Sequence, residues 1–122
     1  MSVKVDLDQL SGALNDFAMA YLITVGDDFH AHTVAVDPVF ADGVFDLGPV
    51  GKTTRTNVGR HGDVTLLWPP RESGGYTLIV DGRGDLAGEP LRVRPSRAVL
   101  HRAAKPNSPT TSGCGDDCVP LA

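Results

Sequence analysis

The apolar positions of this chain follow two periods, one helical and one extended, and the change comes near residue 18. Before it, Leu7, Leu10, Leu14 and Phe17 recur at helical spacing and form one apolar stripe. Asp6 followed by Gln9 has the form of a capping box, so the pattern predicts a short helix from about Leu7 to Phe17. After it, Ala18 to Val25 (AMAYLITV) is an apolar, β-rich run closed by the turn signal Gly26-Asp27-Asp28. His30 to Val36 then alternates, with His30, His32, Val34 and Val36 on one face and Ala31, Thr33 and Ala35 on the other.

Asp37-Pro38 predicts a bend or an edge position, because proline cannot donate to a ladder. Val39 to Leu47 reads as a hairpin about Asp42-Gly43. Past Gly48-Pro49-Val50-Gly51 comes a polar cluster, which the pattern carries into one or two helical turns ending near Arg60. Strands are expected at Val64 to Trp68 and at Tyr76 to Val80. Asp81 to Gly88 (DGRGDLAG) reads as a strand with a bulge or a wide turn. Leu91 to Arg94 alternates again, and Arg97 to Ala104 predicts a final short element.

These elements add up to a mainly β fold: a six-stranded antiparallel barrel with a short N-terminal helix and small helical turns. The expected organisation is one domain over residues 1–104. Residues 105–122 read as a Pro/Ser/Thr/Gly-rich tail carrying Cys114 and Cys118.

Composition narrows the function classes. With 122 residues, 41% apolar and 21% charged, the chain has the make-up of one ordinary globular domain. A formal net charge of −4 argues against broad nucleic-acid or anionic-membrane binding, which needs a basic face. No apolar run approaches the roughly 20 residues that span a bilayer. Asp6 and Asp8 stand where a signal peptide would be apolar, so a cytoplasmic location is expected.

One segment stands out against the acidic background. Lys52, Thr53, Thr54, Arg55 and Thr56 follow Gly51 directly. Backbone amides near Gly51, the Thr53 and Thr54 hydroxyls and the charges of Lys52 and Arg55 suit a phosphate at a helix start. A solvated surface loop is the plainer reading of an isolated KTTR run. The spacing is not that of a Walker loop, and no nucleophile elbow or HExxH helix is present. His30 and His32 share a strand face, but Asp28, His61 and His101 have no metal-site spacing, so no metal is expected. Trp68 caps a core strand or stacks on a ring. Cys114 and Cys118, separated by three residues, are either reduced thiols or a redox- or metal-responsive pair.

Taken in order, FAMAYLITVGDDFHAHTVAVDPVFADGVFDLGPVGKTTRTNVGRHGDVTLLW resembles the pyridoxamine 5'-phosphate oxidase-like split β-barrel proteins, which bind flavin or deazaflavin. The resemblance runs from about Leu7 to Arg102, ending in LRVRPSRAVLHR. It implies a Greek-key split barrel and a homodimer with FMN, or a deazaflavin, held between subunits. It assigns Gly51, Lys52, Thr53 and Arg55 to the cofactor phosphate. His32, Thr33 and Val34 would line the ring, with Trp68 approaching it. HTVAVDP has no Arg or Lys where vitamin B6 oxidases carry an Arg-rich signature, so the expected substrate is another small organic molecule. The alternatives are a non-catalytic flavin or small-ligand module, and a cofactor-free barrel with a responsive cysteine tail.

Overall fold

Alternation of side chains becomes the core of the computed structural model, which describes residues 1–103. Its elements are β1 (Ser2–Val5), α1 (Leu10–Leu14), β2 (Ala20–Val25), β3 (Ala31–Val36), β4 (Val39–Ala41) and β5 (Val44–Asp46). They continue with α2 (Lys52–Arg60), β6 (Asp63–Trp68), β7 (Thr77–Asp85) and β8 (Arg92–His101). The expected tail from residue 105, with Cys114 and Cys118, lies outside the described residues.

All strand pairs are antiparallel, in the order β3-β2-β6-β7-β8-β5-β4, with β1 joining β8. One row of partners, Leu22–Leu66–Val80–Ala98, crosses four strands and is buried throughout. Each such side chain removed from water contributes on the order of 1.5–3 kcal/mol for the larger aliphatics. The ends of the sheet, β3 and β4, are consecutive in the chain and meet at Asp37-Pro38. The sheet thus curls into a split barrel whose two lips are joined covalently.

The hairpin about Asp42-Gly43 forms as read. Asp42 (φ 53°) and Gly43 (φ 77°) both take the left-handed backbone that a two-residue hairpin turn requires. The bulge expected within Asp81–Gly88 is present as a register shift between Asp81 and Gly82, whereas the helical reading changed more. The predicted Leu7–Phe17 helix is a 3₁₀ turn at Leu7–Gln9 followed by the five residues of α1. Asp6 sits at the cap position with extended backbone, but its side chain caps nothing, so the capping box does not form. Gly12 in the middle of so short a segment costs further helix propensity. Leu10 is fully buried, whereas Leu7 faces water.

The strands number eight rather than six. β1 was not anticipated: three of its four residues are exposed, so backbone bonding to β8 defines it more than a side-chain pattern does. The two elements expected at Leu91–Arg94 and Arg97–Ala104 are one strand, β8. Arg97 pairs with Asp81 and Pro95 with Gly82, leaving Ser96 as the extra residue of a bulge. The Ser96 hydroxyl donates to the Asp81 carbonyl at 3.1 Å. The bulge also accommodates Pro95, which has no N–H to give the ladder.

Gly82 is required at this crossing. A Cβ there would stand 2.5 Å from the Arg94 carbonyl oxygen and 2.9 Å from Val93 Cγ1. Gly82→Ala is expected to lower stability by about 1–3 kcal/mol through overpacking. Gly12→Ala, where nothing lies within 4 Å, should be neutral or stabilising. Denaturant midpoints of the two variants check this, and equal effects would contradict it.

Candidate functional site

The site is built around α2, and two contacts fix that helix. Its buried residues are Thr54, Asn57 and Val58, spaced three and four apart on one face. The Asn57 side-chain amide donates to the Thr24 hydroxyl of β2 at 3.1 Å, a bond between two buried groups. Val58 rests over Gly84 of β7, where an added Cβ would come within 2.6 Å of Val58 Cγ1. At the other end of α2, Arg60 and His61 both reach Asp27 in the β2–β3 turn, at 3.1 and 2.8 Å. These last pairs are exposed and contribute little to stability, but they mark where the helix C-terminus meets the sheet.

The N-terminus of α2 is bare. Its first intrahelical bond runs from the Arg55 amide to the Gly51 carbonyl, so the amides of Lys52, Thr53 and Thr54 have no helical partner. Gly51 supplies no side-chain cap. The first turn opens into a cavity of about 570 Å³ between β3 and the segment before α2. That volume lies in the usual range for small-molecule sites. On the strand side His32, Val34 and Val36 form the wall; on the other, Leu47, Pro49 and Val50. Thr54 lines the cavity although it is only 2% exposed, and its hydroxyl joins none of the hydrogen bonds among the described residues. A buried hydroxyl without a partner costs about 1–3 kcal/mol. The charged residues here are Lys52 and, across the cavity, Asp37.

Of the residues singled out from the sequence, His32, Val34, Gly51, Lys52 and Thr53 come together around this cavity. Three do not. Thr33 points to the opposite, exposed face of β3. The Arg55 guanidinium turns away and donates to the Glu89 carbonyl at 3.2 Å. Trp68 is a core residue, 5% exposed, with its ring 5.4 Å from that of Phe45. Alternation alone separates Thr33 from His32 and Val34. Nothing local in the sequence shows which way Arg55 turns. Asp37, Val36 and Pro49 were not foreseen as lining residues; the Asp37-Pro38 bend was the available signal.

The histidines have other partners. His30 and Asp28 face each other at 3.2 Å in an exposed turn. The His30 backbone N–H donates to Asp28 and holds its carboxyl below the usual range, helped by the nearby ring. His101 lies 3.1 Å from the Ser2 hydroxyl. No three His, Cys, Asp or Glu side chains converge as a metal site among the described residues.

No protein-family model matches the chain. Two curated proteins do: Uncharacterized protein Mb0449c of Mycobacterium bovis and Uncharacterized protein MT0457 of Mycobacterium tuberculosis. Each is 47% identical over 133 aligned positions, spanning 95% of this chain and 94% of its own. The chain belongs to the family of these mycobacterial proteins. Solved structures show its fold to be the pyridoxamine 5'-phosphate oxidase-like split barrel. A candidate pyridoxamine 5'-phosphate oxidase of Listeria innocua matches at TM-score 0.64 and 14% identity, over 77% of this chain and 96% of that one. The FAD binding protein of Mycobacterium smegmatis matches at 0.62 and 15%, over 84% and 100%. An F420 reductase matches at 0.59 and 14%, over 72% and 94%. No helix among the described residues is long and apolar enough to cross a membrane.

Because α2 is held through one buried polar pair, Thr24→Val should leave the Asn57 amide unpaired. The expected loss is about 1–3 kcal/mol, read from chemical denaturation. Amide exchange in α2 should rise more than in β7; uniform protection would show that the bond does not seat the helix.

Proposed function

We propose that this chain binds a phosphorylated flavin-type redox cofactor, FMN first and a deazaflavin second, and acts as an oxidoreductase on a small organic substrate. The observation that carries this reading is the uncapped start of α2 at the cavity end, with Lys52 beside it and the Thr54 hydroxyl unpartnered. The residues present fit an anionic group. Three free amides, one ammonium and one or two hydroxyls replace the water that a phosphate gives up on entry. The cavity has room for a ring system, and Val34 and Val36 give it an apolar wall. The folds that match belong to proteins described as FAD-binding, as an F420 reductase and as a candidate pyridoxamine 5'-phosphate oxidase, which favours the same ligand class.

A bound flavin or deazaflavin would itself supply the hydride chemistry. The chain's contribution is to anchor and to exclude. Lys52 and the α2 amides hold the charged end, and the Thr54 hydroxyl donates from a fixed position. His32 presents an imidazole to the cavity beside an otherwise apolar strand face. Asp37 opposes Lys52 and disfavours anions farther along the cavity, which restricts negative charge to the helix end.

The cavity is open on the side of β3 and β4, and we assign its closure to a second copy of the chain. A depression of about 720 Å³ shares Asp37 and Leu47 with it, and there Val39, 63% exposed on the short strand β4, lies among Asp42, Asp46, Asp85, Arg92 and Arg94. A surface bearing both signs of charge about an apolar residue suits a self-complementary contact. Sedimentation should report a dimer.

FMN titration of the purified protein tests the reading. Lys52→Ala and Thr54→Val should each weaken binding at least tenfold, about 1.4 kcal/mol. Arg55→Ala should change it less than threefold, since its side chain is directed to Glu89. A wild-type protein that takes up neither FMN nor a deazaflavin would overturn the proposal.

A further inference from the structure

A second, separate cavity of about 270 Å³ lies between α1 and the β3–β4 joint. Leu14, Phe17, Phe40 and Trp68 supply its apolar wall, with Asn15 and Asp37 as polar lining. Its aromatic side runs into the core: Phe40 and Phe45 have ring centroids 4.5 Å apart, and Phe45 in turn contacts Trp68. Asp37 is the one charged residue that lines it, and that carboxylate has neither an ion-pair nor a hydrogen-bond partner among the described residues. The Trp68 indole N–H is likewise unpartnered, although the residue is 5% exposed. The cofactor cavity shares Asp37 but does not involve Trp68.

We infer that this cavity is a binding site for a small organic cation with a flat apolar body, an aromatic or cyclic ammonium. Its two chemical features select the two ends of such a guest. The carboxylate attracts an ammonium directly, and the aromatic wall packs against the flat apolar body. An anion meets repulsion from Asp37 and finds no Lys or Arg in the lining. Size sets the other limit. A dry cavity of about 150 Å³ accepts benzene, so this one takes a substituted single ring or a small bicycle. The orientation follows: the ring lies among Phe17, Phe40 and Trp68, and the ammonium faces Asp37. Asp37 also lines the cofactor cavity, so the charged end of the guest lies at the boundary between the two.

Trp68 is the sole tryptophan of the chain, so its emission reports occupancy of this cavity directly. The probes are phenethylammonium, its neutral isostere 2-phenylethanol, and the anion 3-phenylpropanoate. Phenethylammonium should shift or quench Trp68 emission saturably and bind at least fivefold more tightly than either analogue. Asp37→Asn, an exposed position, should remove that preference while leaving 2-phenylethanol within twofold. Phe17→Ala should weaken the ammonium and the alcohol alike. Lys52→Ala should leave all three titrations unchanged, which separates this site from the cofactor cavity whether or not that cavity holds a flavin. No saturable change with any probe, equal affinity for the anion, or an Asp37→Asn effect equal on all three would overturn the inference.

Discussion

The arrangement of the cavity at the start of α2 depends on one buried hydrogen bond, from Asn57 on α2 to Thr24 on β2. A helix whose inward residues are Thr54, Asn57 and Val58 has little apolar surface with which to hold itself to a sheet. One valine contact, Val58 over the bare backbone of Gly84, is the main hydrophobic seat. The polar pair supplies what nonspecific burial cannot: a single allowed rotation and height of the helix. That rotation turns the first-turn amides, Lys52 and Thr54 toward β3, and sends Arg55 outward to Glu89. A helix seated by leucines alone could turn by some tens of degrees with little cost, and the anion-binding end would lose its aim.

The second constraint is the joint at Asp37-Pro38. The sheet's outer strands, β3 and β4, are neighbours in sequence but do not share a ladder in the strand order. Proline lacks the N–H with which to begin one. The two lips of the split barrel therefore diverge, and the space between and beside them is what the cavities occupy. Asp37 lines three of these spaces as a direct consequence of sitting at the hinge of the divergence.

Where side-chain alternation had a solvent face and a core face, the fold was legible. β3, β6 and the Asp42-Gly43 hairpin form close to where the pattern put them. Two features were hidden for definable reasons. β1 is an edge strand that buries only Val5, so its existence rests on backbone bonds that leave little trace in residue type. β8 looked like two elements because Pro95-Ser96 has the composition of a break, and only the partner strand's Gly82 turns that break into a bulge. The candidate site was legible in its chemistry but not in its directions. Lys52 and Thr53 line one cavity with His32 and Val34, whereas the Arg55 side chain is directed to Glu89, Thr33 lies on the other face of β3, and Trp68 packs in the core. Orientation is a tertiary property: it follows from Asn57, whose partner lies 33 residues away.

An acidic chain that gathers Lys52 and three free amides at one point poses an electrostatic problem, and the positions of its carboxylates answer it. With a net charge of −4, the long-range field repels an anion, and only short-range donors can reverse this. Exposed carboxylates near α2 are diverted: Asp27 is engaged by Arg60 and His61 at the helix's far end, where cations also complement its dipole. Asp37 is the exception, without a partner among the described residues and in the same cavity as Lys52. Its position gives the pair of cavities a polarity, with negative charge favoured at the α2 end and positive charge at the hinge. Such a gradient would order the two proposed guests along one seam without any conformational change, because each would be attracted where the other is repelled.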